Sequence, residues 1–272
     1  MAVNTDIEES QLPVIMQKLG DYSKWGIQDF IVKTPQLMRL IKEKYPAAVI
    51  HASVGCNINT FEKLNYYKRL GVSQFVISTL LKEIPQIRKI KKEADRVNMK
   101  SEVLIYGNRC IKGVGGCRLY QRFRDYFQEI NLEDTDGTRT TKIMGDPDKG
   151  GICFRPCIYT DDRTVLKSFK KEDLKVIKKN RNVFFAITDD IQKYIDLRID
   201  TLKIQGREYP PEIIGRVVGL YRKLIDSHIQ GELSVNKFEI IRHELEGLNK
   251  KRENIRKSMT SQLHKIMLVP SR

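Results

Sequence analysis

At 272 residues with 40% apolar side chains, the chain is long enough to bury one sizeable core and too apolar for disorder to be the expectation. The opening, Met1 to Ser10, is acidic with no apolar run, and no stretch nears the roughly 18 apolar residues of a membrane span; this excludes a secretory signal and a transmembrane helix and points to the cytoplasm. Lys and Arg number 49 against 34 Asp and Glu, a net charge of +15, which permits RNA or another polyanion as partner. The basic residues are spread over several helical stretches, Lys82 to Lys100, Lys167 to Arg181 and Lys250 to Lys257, where solvated helix faces explain them as well as a nucleic-acid groove does.

Short runs rich in β-branched residues alternate with longer segments of helical period. The first run is Ala2 to Thr5, followed by a helix to about Leu19, with Gly20 as its expected stop. Phe30-Ile31-Val32 then leads into a helix from Pro35 to Glu43, with proline at the first turn. Next come a strand from Ala48 to Ser53, a helix from Thr60 to Leu70 ended by Gly71, a strand from Gln74 to Thr79, a helix from Lys82 to Val97 and a strand from Ser101 to Tyr106. The repeat, roughly 19 to 27 residues, is that of parallel strands joined by crossover helices. No phosphate-binding glycine fingerprint follows the first strand, which favours a TIM-barrel-like fold over an open doubly wound sheet. In a barrel the chemistry lies at the C-terminal strand ends, here Asn4, Thr5, Thr34, Ser53, Cys56, Ser78, Thr79 and the loop after Tyr106.

From that loop the chain leaves on a long excursion, 108–160, that carries four of the five cysteines. It opens as Cys110-Ile-Lys-Gly-Val-Gly-Gly-Cys117 and closes as Gly150-Gly-Ile-Cys153-Phe-Arg-Pro-Cys157. Two pairs of thiols beside glycines are what a metal or an iron-sulfur cluster needs, and without an export signal they read as reduced thiols or ligands rather than disulfides. Its polar part, Asn131 to Lys149, reads as loop. The scaffold resumes with a helix near Lys171 to Asn180, a run from Val183 to Ile187, a helix from Asp189 to Leu197, a strand from Thr201 to Gln205 and a long helix from Glu212 to Gln230, stopped by Gly231. A basic amphipathic helix follows from Val235, with Phe238, Ile241, Leu245, Leu248 and Ile255 on one side, for packing on the body or for a two-helix dimer contact; Ser258 to Arg272 read as loosely held. The expected organisation is a barrel-like α/β domain over 1–231, interrupted by the cysteine-bearing insertion, with a C-terminal helix and tail over 232–272.

Three stretches carry a resemblance in order and spacing: Glu102-Val-Leu-Ile-Tyr-Gly107 with Cys110 and Cys117; Cys153-Phe-Arg-Pro-Cys157; and Thr201-Leu-Lys-Ile-Gln-Gly-Arg207 with Tyr209 and Tyr221-Arg222. Together they are similar to the hallmarks of the collagenase-like peptidase family U32, with a weaker match over most of residues 2 to 231. The resemblance implies a barrel-like fold and an iron-sulfur cluster, of the 4Fe-4S type, held by Cys110, Cys117, Cys153 and Cys157. It also implies oxygen-independent hydroxylation of an RNA base or of an aromatic small molecule, with prephenate as the oxygen donor of some members. Zinc on the same thiols, or unligated structural thiols, stay open as readings of the residues. The peptidase reading rests on the family name alone: no His-Glu-x-x-His occurs and no Ser or Cys stands in a nucleophile setting.

Departures from the family pattern narrow the acid-base candidates. Thr79-Leu80 stands where an Arg-Glu pair is common, Tyr106 where a His is, and Gln205 where a Glu is. That leaves Glu102, Lys203 and Arg207 as candidate catalytic residues. Lys203 and Arg207 suit an anionic substrate, and a salt bridge tying strand to helix accounts for them equally well. Among the histidines, His51 reads as a satisfied core residue, and His228, His243 and His264 as helix surface or packing residues. The resemblance sets Ala2 to Thr5 against about the third strand of the family, two strand-helix units in, and so implies either that another chain closes the barrel or that this is a truncated form that needs a partner for stability. A non-catalytic, cluster-carrying partner subunit is the alternative to an enzyme.

Overall fold

The computed structural model describes residues 1–4, 7–81, 83–107, 129–133, 139–143, 185–186, 188–206 and 209–267. These form two compact units: the first contains 1–104 and 193–203, and the second takes the other described residues. The four cysteines of the excursion, Thr5, Arg207 and the helix expected near Lys171 to Asn180 lie outside the described residues.

The first unit is an α/β fold whose strands alternate with helices. Its strands are β1 (Ala2–Val3), β2 (Asp29–Val32), β3 (Val49–Ala52), β4 (Val72–Val76), the start of β5 (Lys100–Gly107) and most of a later strand, β9 (Thr201–Ile204). Strands β1 to β5 pair in chain order, all parallel, and β9 pairs with β5. Six parallel strands thus make a curled half-barrel, consistent with the expected incomplete barrel. Helices α1 (Leu12–Lys24), α2 (Pro35–Lys44), α3 (Phe61–Arg69) and α4 (Ile84–Arg96) cross between the strands. Alternation along the strands sends Phe30, Val32, Ile50, Ala52 and Phe75 to the helix-covered side, where they are fully buried with Leu37, Met38, Ile41 and Leu64. A bulge at Ser73 shifts the register between β3 and β4, so Gln74 rather than Ser73 faces His51.

Local chemistry sets the element ends. Pro35 and Pro85 sit in the first turns of α2 and α4, and the Thr60 hydroxyl accepts from Lys63 N to cap α3. Gly71 follows α3 at φ +80°, a conformation open to glycine at little strain. The expected stop at Gly20 is corrected: α1 runs through it and the turn comes at Gly26, φ +84°. Gly20 is instead a close-packing site, since a Cβ there would sit 2.7 Å from the Tyr45 hydroxyl.

In the second unit the end of β5 pairs antiparallel with β8 (Phe185–Ala186), Tyr106 opposite Ala186. The expected loop after Asn131 is corrected too, because β6 (Glu129–Glu133) and β7 (Arg139–Ile143) form an antiparallel hairpin. Helix α5 spans Thr188–Asp196, and α6 (Pro211–Ile229) and α7 (Val235–Met267) pack together, Val217, Tyr221 and Leu224 on one, Ile241, Leu245 and Leu248 on the other. The spacing read for the last helix is therefore a packing seam within the chain, and the helix continues to Met267 where a loose tail was expected from Ser258.

Candidate functional site

The face of the first unit's sheet opposite the one that packs Phe30, Ile50 and Phe75 carries a polar layer. The third residue of each of β3, β4, β5 and β9 is His51, Gln74, Glu102 and Lys203. Strands covered on both sides normally present Val, Ile and Leu at such positions. Glu102 Oε1 accepts from Lys203 Nζ at 2.7 Å and Oε2 accepts from Gln74 Nε2 at 2.9 Å; Gln74 Nε2 also lies 3.4 Å from Thr201 Oγ1. Gln74 and Glu102 are 8% and 7% exposed, while the Lys203 side chain keeps 33% of its surface. His51, opposite Gln74 in the register, directs Nε2 to Asp29 Oδ1 at 3.2 Å.

Two of the three expected acid-base residues, Glu102 and Lys203, are thus brought together, and the salt bridge runs from strand to strand rather than strand to helix. Glu102 orients the ammonium, whose remaining donors are free to meet an anion. Sequence reasoning missed Gln74 and Asp29 and treated His51 as core. The period-two pattern of β3 and β4 was the available signal, hidden by the bulge at Ser73 that displaces the register.

A second cluster fixes β9 under this layer. Asp200, just before β9, accepts from Ser101 N and Ser101 Oγ at 2.8 Å each and from Lys91 Nζ at 3.0 Å; Lys91 also reaches Asp95 at 2.7 Å. Burial alone would raise the Asp200 carboxyl, but the Ser101 donors and the Lys91 ammonium outweigh it and hold it below its ordinary value. Burial likewise acts to lower Lys91, and its two carboxylate partners reverse the sign, leaving it raised.

At the C-terminal strand ends, Ser53 and Ser78 are buried in local turns. The Ser53 hydroxyl accepts from Gly55 N, and the Ser78 hydroxyl donates to the Asn57 side chain while accepting from Leu80 N at 3.1 Å. Cys56 is buried, its thiol pushed up to about 11 by burial, against which the Tyr67 hydrogen bond, Ser53 N–H and Lys33 charge act only in part. It is a small core residue, as its position suggested.

In the second unit the guanidinium of Arg252, on α7, is fully buried between two rings, 4.5 Å from the Tyr106 centroid and 4.7 Å from that of Tyr209. Tyr106 also meets Tyr221 edge-on at 6.1 Å, and Gln205 N donates to Tyr106 O at 2.7 Å. The adjoining Gly206 has no room for a Cβ against Ile214. Tyr106 and the Gln205 backbone are therefore packing elements. No sequence signal marked Arg252 beyond its place on the apolar seam of α7.

Among the described residues no group of three or more His, Cys, Asp or Glu is placed to hold a metal, and no helix is long and apolar enough to cross a membrane. Cys110, Cys117, Cys153 and Cys157 lie outside the described residues; two pairs of soft thiolates are a donor set that suits iron-sulfur and zinc chemistry.

The family model that matches is Peptidase family U32, over residues 1–266. The chain belongs to this family. Among the curated proteins it is 25% identical over 224 residues to tRNA hydroxylation protein P1 of Bacillus subtilis, covering 78% of the chain and 45% of that protein. It is 23% identical over 230 residues to the 23S rRNA 5-hydroxycytidine synthase of Escherichia coli, covering 85% of the chain and 31% of that enzyme. An uncharacterized protease of Methanocaldococcus jannaschii is 21% identical over 251 residues, 90% of the chain and 55% of that protein. The chain spans a third to just over half of the length of these U32 relatives. No solved structure matches it.

Proposed function

We propose that this U32 chain takes part in oxygen-independent hydroxylation of an RNA base or an aromatic small molecule, in the cytoplasm and together with a partner chain. The observation that carries the reading is the polar layer Gln74–Glu102–Lys203, whose Glu102 and Lys203 come from two of the three family-like motif stretches, in a chain with relatives named for RNA hydroxylation. In this reading Cys110, Cys117, Cys153 and Cys157 hold a 4Fe-4S cluster, which supplies electron transfer. Glu102 holds the Lys203 ammonium on the polar face of the sheet, where it binds and orients an anionic group of the substrate or of an oxygen donor such as prephenate; Arg207 adds a second cation on the same motif.

A second reading is a cluster-carrying subunit without its own catalysis. It is favoured by the burial of Tyr106 against Arg252 and Tyr221, which gives the residue at the family's histidine position a packing role.

The test is iron and acid-labile sulfide per chain after purification without oxygen, with Cys110→Ala and Cys153→Ala alongside. About four of each in the parent and loss in both variants is the expected outcome. Zinc, or no metal with both variants folded, overturns the redox reading.

A further inference from the structure

His51 is the one residue of the polar layer whose chemistry the Gln74–Glu102–Lys203 contacts do not use. Gln74 and Glu102 are nearly buried, where Val or Leu would pack without the desolvation that polar groups suffer. A layer that departs from the apolar rule at four strands in a row is not explained by folding alone.

Within the layer the tasks divide. Both oxygens of Glu102 already accept hydrogen bonds, so a proton arriving there has to displace Lys203 or Gln74. Lys203 supplies charge. His51 is different: Asp29 Oδ1 takes one ring nitrogen, Nε2, which leaves Nδ1 for a ligand, and the side chain is 24% exposed. The register fixes the spacing, since His51 faces Gln74 across β3 and β4, and Gln74 reaches Glu102 and hence Lys203 on β9. Three strand steps are about 14 Å at the backbone, and two long side chains reaching inward shorten that to about the length of a nucleotide or a substituted aromatic acid.

We propose that His51, oriented by Asp29, is the proton-exchanging residue of this face, and that it acts on an aromatic ligand whose oxyanion, phosphate or carboxylate, is held by Lys203. The proposal rests on the reading of this face as the substrate side. When a ligand hydroxyl or N–H gives up its proton, the Nδ1 lone pair takes it and Asp29 faces the imidazolium formed; in the reverse direction the imidazolium returns it. Among the described strand residues the titratable groups on this side of the sheet, besides His51, include Asp29 from β2, Lys100 and Glu102 from β5 and Lys203 from β9; Gln74, between them, does not titrate.

The test uses the 272-residue chain with two probes, cytidine monophosphate and benzoate, followed by the imidazole NMR resonances and assigned by His51→Gln. One probe is expected to move the His51 signal saturably and to leave the other histidines unmoved, the identity of the probe telling phosphate from carboxylate. Lys203→Met is expected to weaken that binding by about tenfold or more, the loss of a charge-assisted contact. Asp29→Asn is expected to change the ring's nitrogen shifts, reporting a lost tautomer preference, with the fold intact by circular dichroism. An unmoved His51 signal with both probes, or a His51 signal that still moves in Lys203→Met as it does in the parent, overturns the proposal. Iron and sulfide measured on the same samples separate the two readings: a full cluster with a silent His51 sinks this inference alone.

Discussion

Lys91 shows how a charge can be kept inside this unit without being a catalyst. Its side chain is buried on α4, between Asp95 one turn on and Asp200 at the start of β9, and Asp200 in turn holds both Ser101 donors. Removing Asp200 strips a partner from a buried ammonium and leaves Ser101 N without its acceptor, a combination that destabilises strongly. The sign of the pH dependence follows from the lowered carboxyl. Asp200 is depressed below 3.8, so its stabilisation is present in full above that value and is lost as pH falls through the lower folded value. Asp200→Asn is therefore expected to unfold at lower urea than the parent near neutrality, with the difference shrinking as the urea midpoints are followed into acid. A difference independent of pH would mean that shape rather than charge holds this corner. The same contrast sets Glu102 apart, because its partner Lys203 is a third exposed and has reach to spare for a ligand, whereas Lys91 has none.

At the scale of elements, helix α7 belongs to the body of the second unit. Ile241, Leu245 and Leu248 continue the seam with α6, and Arg252 extends it by one more turn into the tyrosines at the end of β5 and beyond Gly206. A guanidinium stacks flat on two rings where an ammonium cannot, so Arg252→Lys is expected to lower stability by about 1 to 2 kcal/mol. Urea unfolding of the two proteins with an unchanged slope would report it, and equal midpoints would show that the stacking contributes nothing. The role of this helix was half legible in the sequence. The three- and four-residue steps of its apolar positions gave the packing face, but an arginine on that face looks like any surface cation until its partners, distant in the chain, are known. Strands β2, β3 and β5 and helices α2 and α3 were legible because β-branched runs, Pro35, Thr60 and Gly71 are local signals. The hairpin β6–β7 was not, although Asp136-Gly137 is a strong turn signal, because polar strands with little apolar alternation look like loop. In the candidate site, Glu102 and Lys203 were legible from the motifs they belong to. Asp29 and Gln74 were not, since their place beside His51 depends on a register that one bulged residue changes.

For the whole molecule, charge gives the broadest test of the RNA reading. An excess of 15 positive charges attracts any polyanion, so binding alone says little about a substrate. Its salt dependence says more. If single-stranded RNA is bound by scattered helix faces, log affinity should fall steeply with log salt, by about 0.7 per phosphate contacted, and all sequences should behave alike. If the Lys203 face takes a base out of such a strand, a part of the affinity should survive high salt, because stacking and hydrogen bonds to a base do not release counterions. Filter binding of a short RNA at low and high salt, with the parent chain and Lys203→Met, separates the two. The expected result is a steep slope in both, with weaker low-salt binding and a slope shallower by about 0.7, one phosphate contact, in Lys203→Met. Equal curves would place RNA on the outer charges only and turn the inner face toward a small aromatic acid, for which the +15 charge has no part in recognition beyond its general field.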